Sequence, residues 1–341
     1  MTYQLPDGFA ARPATIQDAE QVAALWNQRS EATRGEHSST PERVLSIWDH
    51  PKFDLSTDSR LVFAPEEKLI GYAHIRDVKT PPVDVFSGYS VHPNYDHSDW
   101  LWNDLFRWME VEARRVIPKA PEDARIALVA GTSEQDVTEQ HELERQGFEY
   151  SRTFHWMQID FGAPEDRSLR PEPGLWPDGI RVRNVVPGED DIELVTVYRE
   201  AFADHYGIIH QPFEADLEEW RDLMQEDDFD ASLWFLAHAV EDNTIAGFCV
   251  CHTTAHRDQE RGMINDLGVR PAWRRRGIGR ALLLHAFAEL ARRGIKGAAL
   301  NVDTGNKSGA PALYEHVGMH SAQASHTYVK ELRPGVNLVP Q

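Results

Sequence analysis

Four segments of this chain recur in the same order at nearly constant separation, and that recurrence restricts the possible folds more than any bulk property does. Leu69-Ile70-Gly71-Tyr72 returns 176 positions later as Ile245-Ala246-Gly247-Phe248, and Val91-His92-Pro93 returns 178 positions later as Val269-Arg270-Pro271. Leu143 to Phe148 is echoed by Tyr314 to Met319 after 171 positions. Ala11-Arg12-Pro13 with the apolar-periodic stretch Ala19 to Trp26 is echoed by Val182-Arg183-Asn184 with Ile192 to Phe202. Ordered anchors at this spacing predict two copies of one fold, and 341 residues with 41% hydrophobic content supply two cores. Residues 162–179 are rich in proline, glycine and charge and have neither helical nor strand period, so they read as a linker. The expected division is 1–161, linker 162–179, and 180–341.

A formal charge of −20 argues against a general nucleic-acid binder, which needs a basic face. The two cysteines, Cys249 and Cys251, stand two apart on a predicted strand and cannot readily bridge each other. They read as small strand residues rather than as a metal pair with His252, and no metal is expected. No stretch reads as a signal peptide or approaches the ~18 apolar residues of a membrane span, so a cytoplasmic protein with no membrane partner is expected.

Chemistry concentrates at Arg274-Arg275-Arg276-Gly277-Ile278-Gly279-Arg280-Ala281, between a predicted strand ending at Val269 and an amphipathic helix. Leu282, Leu283, Ala286, Phe287 and Leu290 recur at helical intervals, and Gly294 stops the pattern. Two glycines let a tight turn aim its amides inward, and the helix adds its positive end. With four arginines in an acidic chain, the segment reads as a phosphate cradle. It is neither a dinucleotide fingerprint, since Leu282 holds the third glycine position, nor a Walker loop, since no Gly-Lys-Ser/Thr follows.

Arg274-x-x-Gly277-x-Gly279, preceded by a hydrophobic strand, Pro271 and Trp273, resembles the Gln/Arg-x-x-Gly-x-Gly/Ala signature of the GNAT superfamily of N-acetyltransferases. Asn306 to Met319, with Ala310, Leu313-Tyr314-Glu315 and Gly318, is similar to that family's downstream segment, and the likeness covers roughly residues 180–332. The resemblance implies an α/β fold with a mixed α+β sheet: two tandem acyltransferase domains, each a mostly antiparallel twisted sheet flanked by helices. It implies acetyl-CoA as cosubstrate, held by Leu267, Gly268, Val269, Arg274, Arg275, Arg276, Gly277, Ile278, Gly279, Arg280, Ala281, Asn306 and Tyr314. Gly268 suits a bulge or close backbone approach. The shift of 178 puts Asp96, Asp99 and Leu101 where the second copy has Arg274, Gly277 and Gly279, so residues 1–161 are expected not to bind acetyl-CoA productively.

The implied reaction is direct attack of an amine on the thioester, with Tyr314 protonating the departing thiolate. Many members carry a Glu or His at strand positions that here hold Met263 and Asn265, and neither accepts a proton at neutral pH. Three routes stay open: a water relay through Asn265 or Asp266, a group from elsewhere such as Asp303 or His326, or no dedicated base. Strand alternation sets Asp266 on the face opposite Asn265, which suits a structural role. Asp303 equally suits a loop cap, and His326 has a counterpart at His155 in the other copy, which favours a scaffold role.

The acceptor region implied is Ala201 to Leu233, where Glu214, Asp216, Glu218, Glu219, Asp222, Glu226, Asp227, Asp228 and Asp230 crowd against Arg221. This is either an acidic rim that attracts a cationic amine or a solvated helix face. The expected activity is acetyl-CoA-dependent N-acetyl transfer to a small cationic amine, by a monomer or homodimer. The alternative is a non-catalytic acyl-CoA-binding sensor or partner-binding protein. The layout is similar to that of tandem mycothiol synthase-like members, with Met263 in place of their strand glutamate.

Overall fold

The structure is a computed structural model, and it describes residues 5–339 apart from 38, 78–79, 163–174, 204, 210, 256–257 and 306–308. The chain forms two compact units that are not two consecutive halves. The first takes Met1–Thr153 with Ser325–Leu338, and the second takes Phe154–Ala324 with Val339–Gln341.

In the first unit the chain runs β1 (Ala10–Arg12), α1 (Ala19–Arg34), α2 (Pro41–Trp48), α3 (Leu55–Asp58), β2 (Ser59–Ala64), β3 (Lys68–Arg76), β4 (Asp84–Val91), α4 (Asp99–Ala113), β5 (Ile126–Ser133) and α5 (Val137–Arg145), then enters β6 (Glu149–Asp160). Local chemistry sets these limits: Thr40 caps α2, with Pro41 at its first position, and Gly35 ends α1 in the left-handed region. Leu101, Leu105 and Met109 recur every four residues along α4 and are fully buried against β3. Neighbouring strands from β1 to β4 pair antiparallel and β4 pairs parallel with β5.

The second unit runs β7 (Ile180–Asn184), α6 (Asp191–Ala201), α7 (Phe213–Leu223), β8 (Trp234–Ala239), β9 (Ile245–His252), β10 (Arg261–Val269), α8 (Ile278–Arg292), β11 (Gly297–Asp303), α9 (Ala310–His316) and the start of β12 (His320–Arg333). Strands β7 to β10 pair antiparallel and β10 pairs parallel with β11. Each unit is therefore a mixed, mostly antiparallel sheet flanked by helices.

A strand from the other half of the sequence completes each sheet. Ser325 to Arg333 of β12 pairs antiparallel with β5, and Phe154 to Asp160 of β6 pairs antiparallel with β11. A fragment ending at 161 would leave β5 without that partner and expose a bare edge. Binding measurements on either unit therefore need the full chain.

The N-terminus of α4 shows what occupies the region that the shift aligns with the arginine-glycine loop. Leu101 packs its side chain into the core against Gly71, where an added Cβ would stand 3.0 Å from it. No residue from His92 to Leu101 has positive φ. Arg29 of α1, 6% exposed, ion-pairs with Asp96 and Asp136 and lies 3.5 Å from Glu139. Burial, then the charge of Asp136, raises the Glu139 carboxyl to about 7. Arg29→Met would strand three acids around a cavity without their counter-ion, and loss of one partner from a buried pair costs ~3–5 kcal/mol. A loss of that size is expected in urea unfolding at pH 8, and an unchanged midpoint would contradict it.

Candidate active site

The second unit opens its sheet at one place. The β10–β11 ladder consists of Arg261↔Gly297, Gly262↔Ala298 and Met263↔Ala299, yet β10 continues to Val269 and β11 to Asp303. Beyond Met263 the β10 edge facing β11 has no strand partner among the described residues, which leaves alternate amides and carbonyls there open to a ligand. On its other edge β10 pairs with β9 through a register break: Ile264↔Cys251 is followed by Asp266↔Val250, with Asn265 as the extra residue of a β-bulge. The bulge thus lies at Asn265 and not at Gly268. Gly268 instead serves close packing, since a Cβ there would sit 2.4 Å from the Phe248 ring and 3.0 Å from Ala201.

After β10 the chain turns through Arg275 (φ 64°) and Gly277 (φ 84°), both left-handed, and starts α8 at Ile278. The Ala281 amide donates to the Gly277 carbonyl at 3.0 Å as the first bond of the helix. The amides of Ile278, Gly279 and Arg280 therefore have no intrahelical acceptor, whereas that of Ala281 is engaged and its side chain is buried in the core. An added Cβ at Gly279 would stand 3.3 Å from Leu313, so the backbone packs tightly on α9 there.

The arginines divide by task. The Arg274 guanidinium donates from Nε to the Val269 carbonyl at 3.1 Å and from another nitrogen to the Ala201 carbonyl at 2.8 Å, tying the turn to the end of α6. Arg276 donates to the Ala272 carbonyl and lies 4.9 Å from the centre of the Trp273 ring. Arg275 and Arg280 are exposed and have no carboxylate partner among the described residues. They are the charges that remain for an anion, beside three open amides at a positive helix end. This set fits a pyrophosphate; Asn306 lies outside the described residues.

Tyr314 on α9 is 8% exposed, and its hydroxyl makes no hydrogen bond among the described residues. Burial, then its neighbours Cys249 and Asp266, pushes the phenol pKa up, so it stays protonated at any physiological pH. Asp266 is half-buried and likewise without a hydrogen bond or ion pair among the described residues. Burial raises its carboxyl to about 6, and its charge acts on both Tyr314 and Tyr198. Cys249 and Cys251 are buried free thiols with sulfurs 3.5 Å apart, and burial holds the Cys251 thiol protonated.

A family model described as the Acetyltransferase (GNAT) family matches residues 194–319. A GCN5-related N-acetyltransferase from Sphaerobacter thermophilus superposes with a TM-score of 0.84 at 30% identity, covering 98% of this chain and 99% of that one. The chain belongs to the GNAT acetyltransferase family. Mycothiol acetyltransferase of Streptomyces coelicolor is 36% identical over 47% of this chain and 49% of its own length, so that match spans about half of the relative. The enzyme of that name from Streptomyces bingchenggensis is 29% identical over 79% of this chain and 77% of its own. A tandem GNAT protein from the clavulanic acid biosynthesis pathway shares the fold, with a TM-score of 0.70 over 96% of this chain and 100% of that one at 14% identity.

In this GNAT chain Asn265, Asp303, His326 and the acids near α7 have separate surroundings. Asn265 is exposed on the bulge. Asp303 is buried at the end of β11, where its Oδ1 accepts from the Gly305 amide at 2.8 Å, the loop-capping role. His326 belongs to the first unit, with Nδ1 2.8 Å from Thr153 Oγ1, and His155 belongs to the second. The acidic crowd has more counter-charge than Arg221 alone: Asp216 pairs with Arg199, Asp230 with Arg293, and Asp228 lies 3.4 Å from His252. Arg221 itself reaches back to Asp191 at 2.9 Å. Glu214, Glu218, Asp222, Glu226 and Asp227 have no ion pair among the described residues.

The bulge invalidates the alternation argument about Asp266, because an extra residue breaks the period of two. The sequence did hold a signal. The interval between copies grows from 176 at Gly71/Gly247 to 178 at Val91/Val269, and one of those two residues is the bulge. The corresponding β3–β4 ladder runs from Gly71↔Val91 to Arg76↔Phe86 with no register break.

Proposed function

We propose that the second unit catalyses transfer of the acetyl group of acetyl-CoA to the amine of a small acceptor, with the first unit taking no part in the chemistry. The observation that carries this reading is the divergence of β10 from β11 beyond Met263, followed at once by the left-handed turn and open amides that begin α8. The thioester, when bound, supplies an activated acetyl group. The amides of Ile278, Gly279 and Arg280, with the Arg275 and Arg280 guanidiniums, hold the pyrophosphate. The open β10 edge at Leu267 and Gly268 binds the pantetheine arm and polarises the carbonyl.

Asp266 serves as general base. Its carboxyl is ionised above about pH 6, and it takes the proton of the attacking amine directly or through one water held at the Asn265 bulge. Tyr314, kept neutral by burial, donates a proton to the departing thiolate. Asp303 is assigned to shaping the turn after β11. The acceptor is a small amine drawn by the unpaired acids of the α7 region, and the mycothiol acetyltransferases among the relatives support a small-molecule acceptor.

Tyr314→Phe keeps the ring and deletes the donor. It is expected to lower kcat by roughly 10²-fold, the low end for a general acid–base group, while acetyl-CoA affinity changes by less than about threefold. Thiol release measured against acetyl-CoA concentration checks this, and an unchanged kcat would remove Tyr314 from the mechanism.

A further inference from the structure

The first unit contains a cation, Arg76, that no ion pair among the described residues accounts for. His74 and Arg76 stand two apart on β3, on the same sheet face as Tyr72, which packs under α1 and α2. The Arg76 guanidinium is half-buried and has no hydrogen bond or ion pair among the described residues; its Nε is shielded from solvent and unbonded. The His74 ring lies directly over Gly88, its ladder partner, where an added Cβ would stand 2.1 Å from the ring. His74 Nδ1 is also buried without a hydrogen-bond partner among the described residues. Phe53 meets that ring edge-on at 6.0 Å. His50 accepts from the Lys52 amide at Nδ1, 3.1 Å, which leaves Nε2 as its donor, and the Lys52 ammonium sits nearby on Thr80.

Burial and the Arg76 charge keep the His74 imidazole neutral, down to about 3, and lower His50 as well. The cluster thus presents the Arg76 guanidinium and neutral imidazoles, with the Lys52 ammonium nearby. An uncompensated charge in this setting costs free energy, and no ion pair among the described residues offsets it. In the second unit the ladder pair equivalent to His74↔Gly88 is Val250↔Asp266, so that place on the sheet carries a carboxylate there and a neutral imidazole here.

We propose that the cluster of His50, Phe53, His74 and Arg76 over Gly88 binds the oxyanion of a small ligand, carboxylate or phosphate, with Arg76 as its counter-ion. This site is separate from the acetyl-transfer site and does not depend on that assignment. The test is calorimetric titration of the full chain at low ionic strength with benzoate and with inorganic phosphate. Saturable binding of at least one probe is expected, with a dissociation constant on the order of 1 mM or tighter, weakened at least about tenfold by Arg76→Gln. Benzoate alone identifies a carboxylate ligand and phosphate alone a phosphoryl one. Arg280→Gln should leave this binding unchanged, which separates it from phosphate captured at α8. Arg76→Lys retains the charge and is expected to retain weakened binding, and a ligand-free melting temperature of Arg76→Gln at or above the parent's excludes misfolding. The proposal is overturned if neither probe saturates, if binding survives Arg76→Gln, or if its loss follows Arg280→Gln instead.

Discussion

Replacing Gly277 with aspartate is expected to abolish acetyl-CoA binding and turnover in the full chain. Gly277 sits at φ 84°, and the nearest atom to an added Cβ is the Pro177 ring at 3.8 Å, so a side chain has room but the backbone is strained. The strain is worth ~1–2 kcal/mol for an ordinary L-residue and somewhat less for aspartate. The carboxylate adds repulsion: a unit charge ~4 Å from a phosphate oxygen at an effective dielectric of about 20 costs ~4 kcal/mol. Together these predict a loss of roughly 10³-fold or more in affinity. Gly277→Ala carries the strain alone and should lose only about tenfold, so the gap between the two variants isolates the electrostatic part. Calorimetry with acetyl-CoA makes the comparison. Near-equal affinities for the two variants would mean that no phosphate sits at the head of α8.

Asp266→Asn is expected to lower kcat/KM by ~10²–10³-fold and to make the protein more stable at the same time. The rate loss follows from removing the proton acceptor, and the acid limb of the pH–rate profile near pH 6 should vanish with it. The stability gain follows from the direction of the shift. A carboxyl whose folded pKa lies above its unfolded value contributes stability that is fully present below about pH 4 and lost as pH rises through about 6. Above that, the ionised carboxylate costs the fold up to ~3 kcal/mol, less to the extent that water reaches it. The amide avoids the cost, so urea unfolding at pH 8 should show a higher midpoint for Asp266→Asn and a smaller difference at pH 4. A residue that is only structural would give the opposite pair of results, with lower stability and retained turnover. The combination expected here is the usual trade between activity and stability at a functional site.

How far the sequence could be read depended on whether the information was local. The span and buried face of α8 follow from Leu282, Leu283, Ala286, Phe287 and Leu290, because a helix writes its own period of 3.6. The arginine-glycine turn was legible for the same reason: left-handed backbone needs glycine, and Gly277 takes it. Arg275 takes it as well, though no rule for arginine foretells that. Partners were not legible. Arg274 reads as an anion ligand until the carbonyls of Val269 and Ala201 come within reach, and the acids near α7 read as either a rim or a solvated helix face, with no sign that Arg199 and Arg293 meet two of them. The exchange of Phe154 to Asp160 and Ser325 to Arg333 between the units joins residues far apart in sequence, which strand periodicity does not encode. The Asn265 bulge accounts for one residue of a change of two in a repeat interval, and it removes the alternation argument that gave Asp266 a structural role among the three open routes.

The second unit is proposed both to bind acetyl-CoA and to use it. The most direct test is coenzyme A thiol release by the full chain across a panel of small primary amines, with acetyl-CoA affinity measured on the same preparations. Amine-dependent release by the parent protein, lost in Gly277→Asp together with acetyl-CoA binding, is the predicted result. Tight acetyl-CoA binding without amine-dependent release from any member of the panel would contradict it and would mark the chain as an acyl-CoA-binding protein without chemistry.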